Sequence, residues 1–294
     1  MSLALGVDLG GTNARVAVVE QSSGKIIAAE KETWTDRSPS AVVRETAKLI
    51  NTLAVKHSVA EGPVGVGFAG MLRGGVVVNA PNLGWRDVDF GAALSSATGR
   101  DVKLVNDLSA AAWGEVSAGC ARGERDTFTV FVGTGVGSAI IADGGLLTGA
   151  TQVAAEFGHV KLVAEGGRRC GCGQDGCLEA YAGGAKLAEW MKEEGLEGGA
   201  VDLEQLAASG NATARKLYDF VAQNLALAIA NQISVLNPGM LVLGGGVLSR
   251  CPGLVQKIRD VVATRATVAS RTGLKIELAQ LGDDSGLIGA ALLV

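Results

Sequence analysis

The chain has 294 residues, 48% of them hydrophobic and 19% charged, which leaves room for about two domains with a sizeable core. Its formal charge of -4 gives no electrostatic reason to expect a nucleic-acid or membrane partner. No apolar run reaches membrane-spanning length, and the opening Leu3-Ala4-Leu5-Gly6-Val7-Asp8 carries no basic leader, so a soluble, cytoplasmic protein is expected.

In chain order, residues 3–9 read as a buried strand, Gly10-Gly11-Thr12-Asn13 as a tight loop and 14–20 as a second strand. After the turn Gln21-Ser22-Ser23-Gly24, residues 25–31 read as a third. Pro39-Ser40 opens a helix to about His57, and residues 63–68 and 102–105 are further short strands. The pattern restarts at 128–132: strand, Gly133-Thr134-Gly135-Val136-Gly137 loop, strand 138–142, turn Asp143-Gly144-Gly145, strand from Leu146. A motif repeated roughly 125 residues apart implies two related halves facing one another, with the default ligand site in the cleft between them. Leu217, Phe220, Val221, Leu225, Ile229, Ile233 and Leu236 predict a helix over 216–236, buried on most sides. Asn237-Pro238-Gly239 stops it, residues 240–243 run as a strand into Gly244-Gly245-Gly246, and 286–294 form a small-residue helix that crosses back to the first half.

The 43 glycines, about twice the usual share, cluster beside apolar strands, as backbone approaching a ligand would require. Asp8-Leu9-Gly10-Gly11-Thr12-Asn13 suits a phosphate, with Asp8 either holding a hydrated magnesium ion or capping the hairpin turn. Gly133-Thr134-Gly135 offers a second cradle, and Gly244-Gly245-Gly246 a backbone surface for an adenine or ribose. Gly65-Val66-Gly67-Phe68-Ala69-Gly70 matches a dinucleotide fingerprint but leads into another apolar strand instead of a helix, and no P-loop lysine motif is present. Asn106-Asp107 stands between a strand and the helical stretch 108–116, so Asp107 is equally a proton acceptor or a helix cap, with Asn106 available to orient a substrate. Asn82, in a loop ending at Trp85, suits a hydroxyl-rich ligand or merely a turn.

Glu156-Phe157-Gly158-His159 followed by Cys170-Gly171-Cys172-Gly173-Gln174-Asp175-Gly176-Cys177-Leu178-Glu179 gathers three of the five cysteines and one of the two histidines. Three thiolates and an imidazole make a closed tetrahedral zinc site, flanked here by Glu156 and Glu179. Cysteines at metal spacing fit a reducing cytosol better than a disulfide framework.

Together these segments resemble the ROK family of sugar kinases and repressors, within the actin-like ATPase superfamily, and among its members the bacterial glucokinases. The resemblance covers essentially the whole chain. It implies an α/β fold, a duplicated actin-like ATPase (ribonuclease H-like) fold in two domains with a central cleft: 1–108 plus 283–294, and 109–282 carrying the zinc loop. It implies zinc on His159, Cys170, Cys172 and Cys177, and a hexose among Asn82, Asn106, Asp107, Glu156, His159 and Glu179. The nucleotide falls to Gly10, Gly11, Thr12, Asn13, Gly133, Thr134, Gly135, Gly244 and Gly245, with magnesium held through water by Asp8. Asp107 is then the base that takes the proton of a 6-hydroxyl attacking ATP, glucose being the expected hexose. Other hexoses (mannose, fructose, an N-acetylated hexosamine), polyphosphate as donor, and a sugar-responsive regulator are the alternatives. Only two residues precede Leu3 and the chain is acidic, which argues against the added DNA-binding module of such regulators. A homodimer is expected. Two departures stand out: Asn13 and Arg15 where family members often carry a basic residue right after Gly-Gly-Thr, and Gly183-Gly184 where Ser or Thr is common.

Overall fold

The computed structural model describes residues 2–294. Its contacts divide the described residues into two compact units, one of residues 2–123, Gly145–Ala154 and Gln280–Val294, the other of Glu124–Gly144 and Ala155–Ala279.

In the first unit, β1 (Leu3–Leu9), β2 (Asn13–Glu20) and β3 (Ile26–Thr33) form an antiparallel meander, the Gly10 N–H donating to Asn13 O at 2.9 Å to close the first turn. Helix α1 (Pro39–Lys56) follows, with Pro39 in its first turn and the Ser38 hydroxyl accepting from the Ala41 N–H. It returns the chain to β4 (Val64–Phe68), parallel to β1. The chain then turns into a small sheet of β5 (Met71–Arg73), β6 (Val76–Ala80) and β7 (Trp85–Val88), so the Gly-x-Gly-x-x-Gly run ends in a strand and opens no helix. Helix α2 (Phe90–Thr98) and β8 (Val102–Asn106) complete the main sheet in the order β3-β2-β1-β4-β8. Leu5, Val7, Leu9, Phe68, Trp85 and Phe90 fill its core against α1.

The opposite face of that sheet is built for backbone contact. After α3 (Asp107–Ala118), the chain returns to this unit in the helix Ser285–Leu292. A Cβ at Gly65 would collide with the Ala290 carbonyl, and one at Gly289 with the Ala110 carbonyl. Only glycine lets the helix sit this close to β4 and α3. The Trp113 Nε1–H donates to Leu292 O at 3.0 Å, tying α3 to the same helix.

The second unit repeats the plan. Hairpin strands β9 (Thr127–Val132) and β10 (Val136–Ala142) are antiparallel, the strand Met240–Gly244 lies parallel to β9, and Lys275–Leu278 lies parallel to Met240–Gly244. An antiparallel hairpin followed by two parallel neighbours is thus the shared topology of both sheets. Helices α4 (Glu179–Ala182), α5 (Gly184–Glu193), α6 (Ala200–Ala208) and α7 (Ala212–Leu236) intervene. The stripe Leu217, Val221, Leu225, Ile229 and Ile233 of α7 enters the core beside Phe128 and Val130, whereas Phe220 packs partly exposed against Tyr181 and Trp190. Asn237, in the left-handed conformation, ends α7. Among the described residues, no helix is long and apolar enough to cross a membrane.

Candidate active site

Register decides where the acidic groups of the first unit stand. Leu9 pairs with Phe68 and Phe68 with Asn106, so Asp8 and the Asn106-Asp107 step reach the same carboxyl-end edge of three parallel strands. That edge is where ligands bind in open α/β sheets. Asn106 is the N-cap of α3: its Oδ1 accepts from the N–H groups of Leu108 (3.0 Å) and Ser109 (3.3 Å), and its Nδ2 donates to Gly70 O at 3.4 Å. Asp107 therefore occupies the first helical turn with one oxygen accepting from its neighbour Leu108 N and the other without such a bond to the helix. Burial, helped by the charge of Asp8, pushes the Asp107 carboxyl up to about 6, against the opposing Leu108 N–H. Burial also raises Asp8, with Arg15 opposing and Asp283 reinforcing the shift.

Two further groups join this edge. A Cβ at Gly11 would lie 2.5 Å from the Cβ of Asn82, so the Gly-Gly loop is packed against the exposed Asn82 turn. Asn13 donates to Thr12 Oγ1 at 3.0 Å. Arg15 is held away from any simple phosphate role: it donates to Asp283 O at 2.8 Å and pairs with the Asp284 carboxylate.

In the second unit, His159, Cys170, Cys172 and Cys177 bring one ligand atom each within 4.8 Å of one another. Cys170 Sγ is 3.7 Å from His159 Nδ1, and Cys172 Sγ is 3.7 Å from Cys177 Sγ. With metal–sulfur and metal–nitrogen bonds of about 2.3 and 2.1 Å, the edges of a tetrahedral zinc site are roughly 3.5–3.8 Å, so the donor set fits the ion. Burial pushes the Cys170 thiol up to about 12, a cost that a dication would remove. Lys161 Nζ, 3.3 Å from Cys177 Sγ and 2.8 Å from Asp175 O, supplies positive charge beside a three-thiolate set. The loop is anchored by Arg168, which forks onto both Glu193 oxygens at 2.6 and 2.9 Å and stacks 5.0 Å from the Trp190 ring. His159 turns its other nitrogen, Nε2, to within 3.6 Å of the exposed Glu156 carboxylate.

Close by, the Gly133–Gly137 loop is gripped by the α4–α5 segment. Gly184 N donates to Gly133 O at 2.8 Å, Ala185 N to Thr134 O at 3.0 Å, and the Glu179 Oε2 accepts from Val136 N at 3.0 Å. Gly183 and Gly184 leave no room for side chains, since their Cβ atoms would lie 3.2 Å from Gly135 Cα and 2.6 Å from Gly133 O. A cavity of about 570 Å³ opens here, lined by Gly133 and Thr134, the N-termini of α5 and α6, Gly246 and Arg250. Arg250 gives the cavity a cation, whereas Gly184 N and Ala185 N are already bonded to the loop and Gly199 N to Asp202 Oδ2 at 2.8 Å. Gly244 is buried against the Phe131 ring, and Gly245 turns at φ +88°. Sequence reasoning missed the contribution of Gly199, Asp202 and Arg250; the pair Gly198-Gly199 before a helix was the available signal.

The ROK family model matches residues 4–294. The chain belongs to the ROK family. Among ROK relatives, the glucokinase of Streptomyces coelicolor is 32% identical over 99% of this chain and 97% of its own length. The N-acetylmannosamine kinase of Citrobacter koseri is 32% identical over 98% and 97%. Among solved structures, a ROK hexokinase from Thermus thermophilus superposes with a TM-score of 0.87 at 29% identity, covering 99% of this chain and 97% of that one. A ROK family glucokinase from Streptomyces griseus, solved with glucose and AMPPNP, gives 0.78 at 30% identity, covering 100% and 99%. The fold is accordingly the actin-like ATPase fold of the ROK family.

Proposed function

We propose that the protein is an ATP-dependent hexose kinase that phosphorylates a 6-hydroxyl, with glucose as its hexose. The observation that carries this reading is Asp107, a carboxylate at a strand-end edge whose affinity for protons suits a general base and whose neighbour Asn106 has taken over the capping task. The relatives and solved neighbours named as glucokinases support the choice of sugar and donor.

In this reading the ionised Asp107 accepts the 6-hydroxyl proton as that oxygen bonds the γ-phosphorus and the bond to the bridging oxygen breaks, leaving ADP. Asn82 and Asn106 in the first unit, and Glu156, His159 and Glu179 in the second, are assigned to sugar hydroxyls. Gly10, Gly11, Thr12 and Asn13, with Gly133, Thr134 and Gly135, are assigned to phosphates; Gly244 and Gly245 form the wall leading to the nucleoside. Asp8 would hold magnesium through water, and the bound ion would offset charge on the transferring group. Zinc on His159, Cys170, Cys172 and Cys177 would be structural, fixing the loop from which His159 and Glu179 project.

A coupled assay over glucose, mannose, fructose, N-acetylmannosamine and N-acetylglucosamine, each with ATP and with polyphosphate, tests the proposal. The highest kcat/KM is expected for glucose with ATP. A preference for an N-acetylated hexosamine would overturn the choice of sugar, and no turnover with any pair would overturn the kinase.

A further inference from the structure

Glu179 stands two residues after Cys177 and at the first position of α4, and its carboxylate spans two features that lie far apart in sequence. Oε1 is 3.7 Å from Cys170 Sγ, inside the Cys/His cluster. Oε2 accepts the Val136 N–H at 3.0 Å, inside the Gly133–Gly137 loop. The loop leaves room for this: a side chain at Gly135 would collide with Oε2. The loop has an internal bond, Gly133 N to Gly135 O at 3.0 Å, and runs at Val136 and Gly137 into the β9–β10 ladder; Glu179, Gly184 and Ala185 anchor it from outside that hairpin. These three residues are on one short segment whose beginning is fixed by Cys177.

We infer that Glu179 is a positioning residue that transmits the order of the Cys/His cluster to the Gly133–Gly137 loop, so that a filled metal site shapes the loop that receives phosphate. This rests on the kinase reading for its functional meaning, and for the coupling itself on the two-residue step from Cys177 to Glu179 and on the bonds of Glu179, Gly184 and Ala185 to the loop. A residue that contacted only the sugar would have no reason to hold the Val136 amide.

Amide exchange of the metal-loaded protein, without hexose or nucleotide, reads the coupling directly. Glu179→Ala should speed exchange at Val136 by roughly 10- to 100-fold, the protection expected of a hydrogen bond to a charged acceptor, while Val130 in β9 keeps its rate. Glu179→Gln should retain the protection, because its side-chain carbonyl still accepts. Gly135→Ala, which expels the carboxylate from the loop side, should reproduce the loss if Glu179→Ala fails to fold. Stripping the metal with a chelator should do the same. In turnover, Glu179→Ala should raise KM for ATP as well as KM for glucose, since Glu179 is assigned to both the sugar and the loop. Unchanged Val136 exchange in Glu179→Ala or Gly135→Ala, or in the chelated protein, would overturn the coupling; a rise in KM confined to glucose would overturn its role toward phosphate. Absence of turnover in wild type would refute the kinase reading and leave the exchange result to decide the coupling.

Discussion

Asn106 caps α3 and thereby relieves Asp107, the residue beside it, whose own carboxylate accepts from Leu108 N at 3.0 Å, of the capping role that an acidic residue at a strand–helix junction commonly performs. The division of labour separates two losses that would otherwise coincide. Asn106→Ala should destabilise by about 1 kcal/mol, the usual worth of a cap, and shift Asp107 along with the helix start. Asp107→Asn should leave the cap intact and lower kcat by roughly 10² to 10⁴. Near-normal turnover in Asp107→Asn would remove it as the base.

The same carboxyl makes stability and activity respond oppositely to pH. Its folded-state value, about 6, lies above the ordinary 3.8, so the folded chain keeps a proton between those values that the unfolded chain has released. Stability from this group therefore falls as pH rises through that window, and at pH 7 the buried charge is a liability of about 1–3 kcal/mol. Asp107→Asn should accordingly melt higher than wild type at pH 7 and lose that advantage near pH 4. Activity runs the other way, with kcat/KM declining tenfold per unit below about pH 6. A flat profile from pH 5 to 7 would contradict the assignment.

Elemental analysis of protein never exposed to chelator should find about one zinc per chain. Cys172→Ala should lose it and loosen the loop, since structural zinc contributes on the order of 10 kcal/mol in small sites. Zinc-free protein with an unchanged proteolysis pattern across residues 160–178 would defeat the metal reading.

Glu115 is fully buried and accepts from Cys120 N at 3.0 Å and Leu281 N at 2.8 Å, joining the end of α3 to the chain returning to the first unit. Glu115→Ala strands two backbone donors and should cost about 2–5 kcal/mol. A denaturation midpoint within error of wild type would show that water replaces the carboxylate.

Gly65→Ala should prevent the first unit from closing, because its Cβ would collide with the Ala290 carbonyl, a main-chain atom that cannot swing aside. Gly62→Ala, with nothing within 4 Å, is the control and should melt as wild type. Equal behaviour of the two variants would mean that the closing helix is not seated as described.

The hairpins and the Cys/His loop were legible because their signals are local. Strand 3–9 and helix Pro39–Lys56 announce themselves by apolar runs and a proline start, and the Cys/His cluster that could hold a metal by side-chain chemistry within twenty residues of chain. Asp107 could not be separated from a cap by sequence, since Asn106 and Asp107 are both good caps and only the hydrogen bonds choose between them. The cavity beside Thr134 was illegible for another reason: Gly199 and the turn from Gly246 to Arg250 reach it from two segments distant in sequence. The place of α3 in the first unit rests on its packing against the helix Ser285–Leu292, a contact made across more than half the chain and so without a local signal.

That closing helix also orders events during synthesis. Residues 124–279, which include the whole second unit, leave the ribosome before residues 285–292 do, an interval on the order of 10 s at ordinary elongation rates. Throughout it, the first sheet waits with one face uncovered. The face in question offers Gly6 and Gly65 where the helix will lie, with Ala4 and Ala17 beside Val19 and Ile26, so the nascent chain presents less adhesive surface than a face lined throughout by large apolar side chains would. Small residues that permit a tight seat in the finished protein thus also keep the unfinished one from sticking.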